Sequence, residues 1–328
     1  MHPNPLSPYT FAYPDLPIMA GREAILKALA EHPAIVVQGG TGSGKTTQLP
    51  KFLLEAGYGE KGLIGVTQPR RIAALAITDR LRQETLEPSL IGSKIRFLED
   101  VPRGAKVKVM TDGILLQEFR RDPLLRRYSV IVLDEAHERS LNVDILLGIF
   151  KTLLPRRRDF RLVVTSATLD ADRFAAFLGT GEGEALMKAP VVEVEGRAYP
   201  VDIEYWDPQD TGGAEDEDGE ETPARAIPPV EAAAIAIRDL ESRRPDNLLC
   251  FLPTEKEINE LHRELERDLG NRFVILPLYS RLGPADQKKV FQESHRPKII
   301  LATNIAETSL TIPGIGYVVD TGLARISR

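Results

Sequence analysis

The sequence predicts an α/β protein built on mainly parallel sheets. Short apolar runs recur along the chain, segments of helical periodicity separate them, and several runs end abruptly in hydroxyl-bearing or charged residues. A length of 328 residues suits about two domains.

In order, "AIVVQ" (34–38) precedes a helix from about Lys45, and "LIGVT" (63–67) precedes the helical "RRIAALAITDRLRQE". "VKVM" (107–110) leads into "GILLQEFRRD", "VIVLD" (130–134) into "LNVDILLGIFKTLL", and "RLVVTS" (161–166) into "LDADRFAAFL". Tyr205 and Trp206 close an alternating strand and are read as edge packing rather than base stacking. Asp207 to Glu221 then interrupts with eight acidic residues and no Lys or Arg, a solvated linker by composition. The rhythm resumes with helices at 230–243, 255–268 and near 284–292, interleaved with "LLCFL" (248–252), "FVILPLY" (273–279), "KIILAT" (298–303) and "YVVD" (317–320). The expected organisation is an N-terminal arm (1–20), a first domain (21–206), an acidic linker (207–229) and a second, incomplete domain (230–328).

Composition narrows the partners only partly. With 42% hydrophobic and 27% charged residues the chain reads as soluble and globular. The net charge is −6, but the acidic segment carries −8 of it and the remainder is +2, so charge neither selects nor excludes a nucleic acid. No apolar run approaches the roughly 18 residues of a membrane span, and the opening residues lack the basic start and apolar centre of a secretion leader. Cys250, the single cysteine, sits in an apolar run and suits a reducing cytoplasm as a small buried hydrophobe.

Chemistry concentrates where strands end. "GGTGSGKT" (39–46) fits a phosphate-binding loop between a strand and a helix. Gly39, Gly42, Ser43 and Gly44 let backbone N–H groups face phosphates, with Thr47 beginning the helix beside them. Lys45 would reach the β- and γ-phosphates, and the Thr46 hydroxyl would ligate Mg²⁺. Strand ends of a parallel sheet share one crevice, so Asp134 and Glu135 after "VIVL" are placed to hold the metal shell and orient an attacking water. Read alone, that acid pair could instead cap the next helix. "TSAT" (165–168) offers Ser166 and Thr168 for capping or for coupling to the Asp134 strand. "TQPRR" (67–71) and "MTDG" (110–113) supply hydroxyls, amides and Arg70 or Arg71, groups that grip phosphate backbones without reading bases.

These stretches, with "LDEAHERSLN", "LYSRL", "LATNIAETSLTIPGI" and "TGLARISR", resemble the DEAH-box RNA helicases of superfamily 2, of the bacterial HrpA type, over roughly residues 20–328. The resemblance implies two RecA-like domains that clamp nucleotide and hold single-stranded RNA, with DNA as the other candidate strand. It implies an ATPase centre of Lys45, Thr46, Asp134, Glu135 and His137, with Thr46, Asp134 and Glu135 at Mg²⁺ and Ser166 and Thr168 linking hydrolysis to movement. Arg70, Arg71, Arg96, Thr111, Thr303 and Asn304 fall at positions that hold the RNA backbone, and Arg80 and Phe291 at positions that sandwich the base. A base gripped by its face predicts that ATP, GTP and CTP are all accepted, the more so as the first glutamine, Gln38, already lies on a strand. The resemblance also implies 3′-to-5′ translocation. Gly40 stands where relatives usually carry glutamate, a departure expected to matter little. The sequence stops before the arginine-rich motif of the family, and the loss of an arginine finger is expected to bring turnover near background. The alternative is then a nucleotide-gated RNA-binding fragment; a phosphate-loop ATPase acting on a protein assembly would require "TQPRR" and "TNIAETS" to be mere caps.

Overall fold

A computed structural model describes residues 9–167, 170–181, 187–194, 200–205, 227–306 and 312–323. The chain forms two compact units divided between Ala198 and Tyr199.

The strands of the first unit are β1 (Ala34–Gly39), β2 (Leu63–Gln68), β3 (Ile91–Ile95), β4 (Leu98–Asp100), β5 (Val107–Thr111), β6 (Tyr128–Leu133), β7 (Arg161–Ser166) and β8 (Val191–Val194). They form one sheet in the order β4-β3-β5-β2-β6-β7-β1-β8, with only the β3–β4 pair antiparallel. Strands apolar on both faces feed two cores. Ile35, Val37, Ile64, Val66 and Val132 join residues of α1 (Ile18–Glu31), α2 (Lys45–Glu55) and α4 (Arg71–Gln83), the short α3 (Tyr58–Lys61) lying between the last two in sequence. Val36, Ile131, Leu133 and Val164 join α5 (Asp112–Arg121), α6 (Leu141–Leu153) and α7 (Ala171–Leu178) on the other face. Each fully buried aliphatic side chain contributes about 1.5–3 kcal/mol, so the strand ends are held on a stiff platform.

The second unit carries β9 (Asn247–Phe251), β10 (Val274–Leu278), β11 (Lys298–Ala302) and β12 (Ile315–Asp320) in the all-parallel order β10-β11-β9-β12. From α8 (Pro229–Arg243) and α9 (Glu255–Leu269), Ile237, Ile258, Leu261 and Leu265 pack with Leu248, Cys250, Ile299 and Leu301. Thr254 starts α9, its hydroxyl accepting from Glu257 N at 3.4 Å and donating to the Glu257 carboxylate at 2.9 Å. The mixed α/β class with mainly parallel sheets agrees with the sequence reading, and Cys250 is buried, its thiol pushed up to about 12 by burial.

Several local expectations change. In the described part of the N-terminal arm, for whose packing no expectation was set, Tyr9, Phe11, Tyr13 and Leu16 pack against the core shared by α1, α2 and α4. The helix near 284–292 is shorter, α10 spanning Pro284–Lys288 before the backbone tightens into a 3₁₀ turn at Lys289–Phe291. The alternating segment ending at Tyr205 forms no strand over 201–205; Val201, Ile203 and Tyr205 are exposed, because alternation supplies a face but no hydrogen-bonding neighbour. Trp206, Thr168, the acidic stretch and residues 307–311 of "ATNIAETSLT" lie outside the described residues. The β3–β4 hairpin and the edge strand β8 carried no clear sequence signal, being only three to five residues long.

Candidate functional site

Sheet order puts β7 between β1 and β6, so three strand ends converge. Beyond β1 the chain turns through Gly42 (φ +79°) and Gly44 (φ +93°) into α2. A β-carbon at Gly44 would sit 2.8 Å from Leu16 Cδ1, which adds a packing requirement to the conformational one. At Gly40 a β-carbon would meet nothing within 4 Å, so the family's glutamate would be accommodated there. Lys45 is buried, and its Nζ donates to Gly39 O at 2.5 Å, Gly40 O at 2.9 Å and Ser43 Oγ at 3.3 Å. Burial lowers its pKa, with Asp134 and Glu135 acting in the opposite sense. Thr47 Oγ1 donates to Gly44 O at 3.4 Å.

Asp134 follows directly on β6 and has no exposed surface. A buried carboxylate needs donors, and three converge on it: Thr46 Oγ1 at 2.5 Å and Gln68 Nε2 at 2.5 Å on Oδ2, and Thr165 Oγ1 on Oδ1. Thr165 also accepts from Glu135 N at 3.2 Å, tying the two acids to the intervening strand. Glu135 adopts the left-handed region (φ +54°), a conformation costly for a non-glycine residue. Its Oε2 is buried without a hydrogen-bond partner, although His137 Nε2 lies 3.4 Å away. Burial, followed by the charge of Asp134, raises the Glu135 pKa to about 8. His137 Nδ1 accepts from Ala167 N at 3.2 Å, and burial lowers its pKa, favouring the neutral ring. Glu135 precedes a 3₁₀ turn at Ala136–Glu138 but makes no side-chain cap bond there, and α6 begins only at Leu141, where Ser140 Oγ accepts from Val143 N at 3.2 Å.

Ser166 is buried at the end of β7, in register with Gln38. Thr111 precedes α5 and is in register with Gln68, which connects it through one side chain to Asp134. Arg70 approaches Glu138 at 3.7 Å, and Arg71 Nη2 donates to Arg96 O at 3.3 Å, so Arg71 and Arg96 come together at the β3–β4 turn. Arg80 lies toward the end of α4, its Nε donating to Glu84 Oε1 at 2.5 Å. In the second unit Phe291 is half-buried in the 3₁₀ turn, Thr303 N donates to Leu278 O at 3.2 Å, and Asn304 is exposed. Sequence reasoning passed over Thr165 and the role of Gln68; both stood inside quoted stretches, but only register shows that they point at Asp134. It also missed Asp112, whose buried carboxyl has an unpartnered Oδ1 and a pKa raised to about 6 chiefly by burial.

Among the described residues no group of three or more His, Cys, Asp or Glu could form a metal cage, and no helix is long and apolar enough to cross a membrane.

Comparison with known proteins matches residues 20–176 to the DEAD/DEAH box helicase family and residues 231–326 to the helicase conserved C-terminal domain. The chain is 46% identical over 319 residues to the ATP-dependent RNA helicase HrpA of Escherichia coli (strain K12), covering 96% of this chain and 23% of that protein. It is 39% identical over 318 residues to the ATP-dependent RNA helicase HrpA of Borreliella burgdorferi, covering 95% of this chain and 36% of the relative. The crystal structure of the Escherichia coli DEAH/RHA helicase HrpB superimposes with a TM-score of 0.78 at 34% identity, over 96% of this chain and 38% of that one. The chain thus spans about a quarter to a third of the curated relatives it matches. By its motifs, its two matched domains and these relatives, the chain belongs to the DEAH-box group of the DEAD/DEAH box helicases.

Proposed function

We propose that this chain is the nucleotide-driven core of an RNA helicase, hydrolysing ATP and related triphosphates with Mg²⁺ and moving along single-stranded RNA. The observation that carries this reading is the convergence of Thr46, Gln68 and Thr165 on the buried Asp134, beside the Lys45 loop. The oxygens of Thr46 and Asp134 suit Mg²⁺, which takes one or two protein oxygens and completes its shell with phosphate and water. Thr46 and Asp134 would hold it, with Glu135 alongside; it would neutralise charge developing on the phosphates. Lys45, bonded to the loop carbonyls here, would exchange those bonds for phosphate oxygens. Glu135, buried with a free oxygen and an elevated pKa, suits a base that accepts a proton from attacking water, and neutral His137 beside it can orient that carboxylate. Ser166 and Thr168 are assigned to coupling between hydrolysis and strand movement on family resemblance.

Arg70, Arg71, Arg96 and Thr111 are assigned to the strand's backbone in the first unit, and Thr303 and Asn304 in the second. Backbone contacts make binding tolerant of sequence and sensitive to salt. Arg80 and Phe291 are assigned to the nucleobase, which predicts similar use of ATP, GTP and CTP. Translocation from 3′ to 5′ rests on family resemblance alone, and a cytoplasmic location on the single cysteine, Cys250, held as a buried thiol.

The test measures single-stranded RNA affinity of the chain with Mg-ADP and with a non-hydrolysable Mg-ATP analogue, alongside Mg-ATP affinity of the Lys45→Ala variant. RNA affinity should differ between the nucleotide states, and Lys45→Ala should weaken Mg-ATP about a hundredfold. RNA binding indifferent to nucleotide, or Mg-ATP binding indifferent to Lys45, would overturn the reading.

A further inference from the structure

The N-terminal residues and the end of α4 share a buried polar network that the hydrolytic centre does not use. Glu84, directly after α4, is buried and takes four bonds. Its Oε1 accepts from Arg80 Nε at 2.5 Å, its Oε2 from Lys51 Nζ at 2.6 Å and Gln48 Nε2 at 3.2 Å, and its backbone carbonyl from Ala12 N at 2.8 Å. Lys51, itself buried, also donates to Ala12 O at 2.7 Å. Residues around Ala12 are anchored in turn: Phe11 bridges Thr85, Tyr13 stacks on Phe52 of α2, and Lys51 Nζ lies 4.5 Å from the Tyr13 ring centroid. Further along, Ile18 N donates to Ser43 O at 3.0 Å, so the same strap touches the phosphate loop.

Within this network one path leads to the phosphate loop. Arg80 binds Glu84, Glu84 binds Gln48, Gln48 Nε2 donates to Thr47 Oγ1 at 2.8 Å, and Thr47 binds Gly44 O in the loop itself. At the outer end of this path the Arg80 side chain remains 55% exposed while its Nε is fixed, so its guanidinium plane has an accessible surface. An arginine stacks on an aromatic face, but a free one loses much rotamer freedom in doing so. Fixing Nε in advance reduces that loss.

We propose that Glu84 is a positioning residue that presents the Arg80 guanidinium to the face of the nucleotide base, and that the strap around Ala12 holds Glu84 in place through its backbone and Lys51. The proposal rests on the assignment of Arg80 to the nucleobase made above. It gives the N-terminal segment a task in nucleotide recognition beyond covering a core.

The test compares Mg-ATP with Mg-tripolyphosphate, a probe with no base, by calorimetric binding to the chain and to its Arg80→Ala, Glu84→Gln and Glu84→Asp variants. Glu84→Asp keeps the charge that Lys51 needs but is one methylene short of Arg80, and serves if Glu84→Gln does not fold. Arg80→Ala should weaken Mg-ATP about five- to tenfold while leaving tripolyphosphate within about twofold, and the Glu84 variants should show the same selective loss at about half that size on a logarithmic scale. If Arg80→Ala shows the selective loss and the folded Glu84 variant does not, or weakens both ligands alike, the positioning role is overturned and the Arg80 assignment survives. If Arg80→Ala leaves the ratio of the two affinities unchanged, the base assignment falls and the inference falls with it.

Discussion

The two units solve the same architectural problem with different interiors. The second buries few polar side chains among its described residues, Gln287 and Lys298 being the cases, and its helices are joined on the surface by ion pairs such as Arg238 with Glu264 and Asp268. In the first, Lys45, Lys51, Glu84, Lys108, Asp112 and Asp134 are all buried. Buried charge is destabilising unless it is paired, and most of these groups are: Asp134 by three donors, Glu84 by Arg80, Lys51 and Gln48, Lys108 by Glu118 and Tyr128. Ionisable groups kept dry and mutually oriented are what phosphoryl chemistry requires, and Lys45 and Asp134 lie beyond the C-terminal ends of β1 and β6, whereas Lys108 meets Tyr128 at the start of β6. The lesson of the contrast is that a parallel α/β core is cheap to build from apolar strands, whereas a reactive strand end has to be held by neighbours contributed from distant sequence.

The contrast can be broken or sharpened at several points. The largest effect is expected from Glu135→Gln, which keeps shape but removes the base: assayed in the intact helicase, single-turnover hydrolysis should fall on the order of 10²- to 10⁴-fold with Mg-ATP binding retained. Unchanged turnover would remove Glu135 from the chemistry. Next, Leu261→Ala, in the apolar core of the second unit, should cost about 2–5 kcal/mol, read as lost hydrogen-exchange protection in β9 and β11. A cost below about 1 kcal/mol would mean that this core is not the generic hydrophobic support described above.

Asp112 gives a pH-dependent case. Its folded pKa, about 6 against an ordinary 3.8, means that the folded state binds more protons than the unfolded state between those values. Stability from this group therefore declines as pH rises from about 4 to about 6 and stays lower above that. Asp112→Asn removes the decline, so the variant should gain about 2 kcal/mol relative to the parent at pH 7 compared with pH 4, measured by urea unfolding at both values. An equal difference at the two pH values would show the carboxyl to be satisfied. The smallest effect is expected from Arg238→Ala, whose partners are exposed: under about 1 kcal/mol in the same assay, and smaller still in high salt.

Much of the fold was legible because its period is local. "AIVVQ", "LIGVT" and "RLVVTS" are short, rich in β-branched or aliphatic residues and followed by helical segments, which marks them as strands covered on both faces, and β1, β2 and β7 fall within a residue of their expected limits. The strap at residues 9–17 was not legible: Tyr9, Phe11 and Tyr13 look like an irregular arm until the groove against α2 and α4 that receives them is known. The segment ending at Tyr205 failed for the opposite reason, having a strand's alternation and no neighbouring edge over 201–205.

The sequence by itself determined the α/β class, the phosphate loop ending in Lys45 and Thr46, and the presence of Asp134 and Glu135 at a strand end, because each depends on residues contiguous in the chain. Tertiary structure alone decided that Thr165 and Gln68 hold Asp134, that Glu84 joins Arg80 to the phosphate-loop helix, and that Asp112 is buried with an oxygen unmet. The contacts on Asp134 follow from strand order and register, and the meeting of Glu84 with Gln48 from helix packing; each joins residues tens of positions apart whose spacing follows no local period, whereas Arg80 and Glu84 are one helical turn apart.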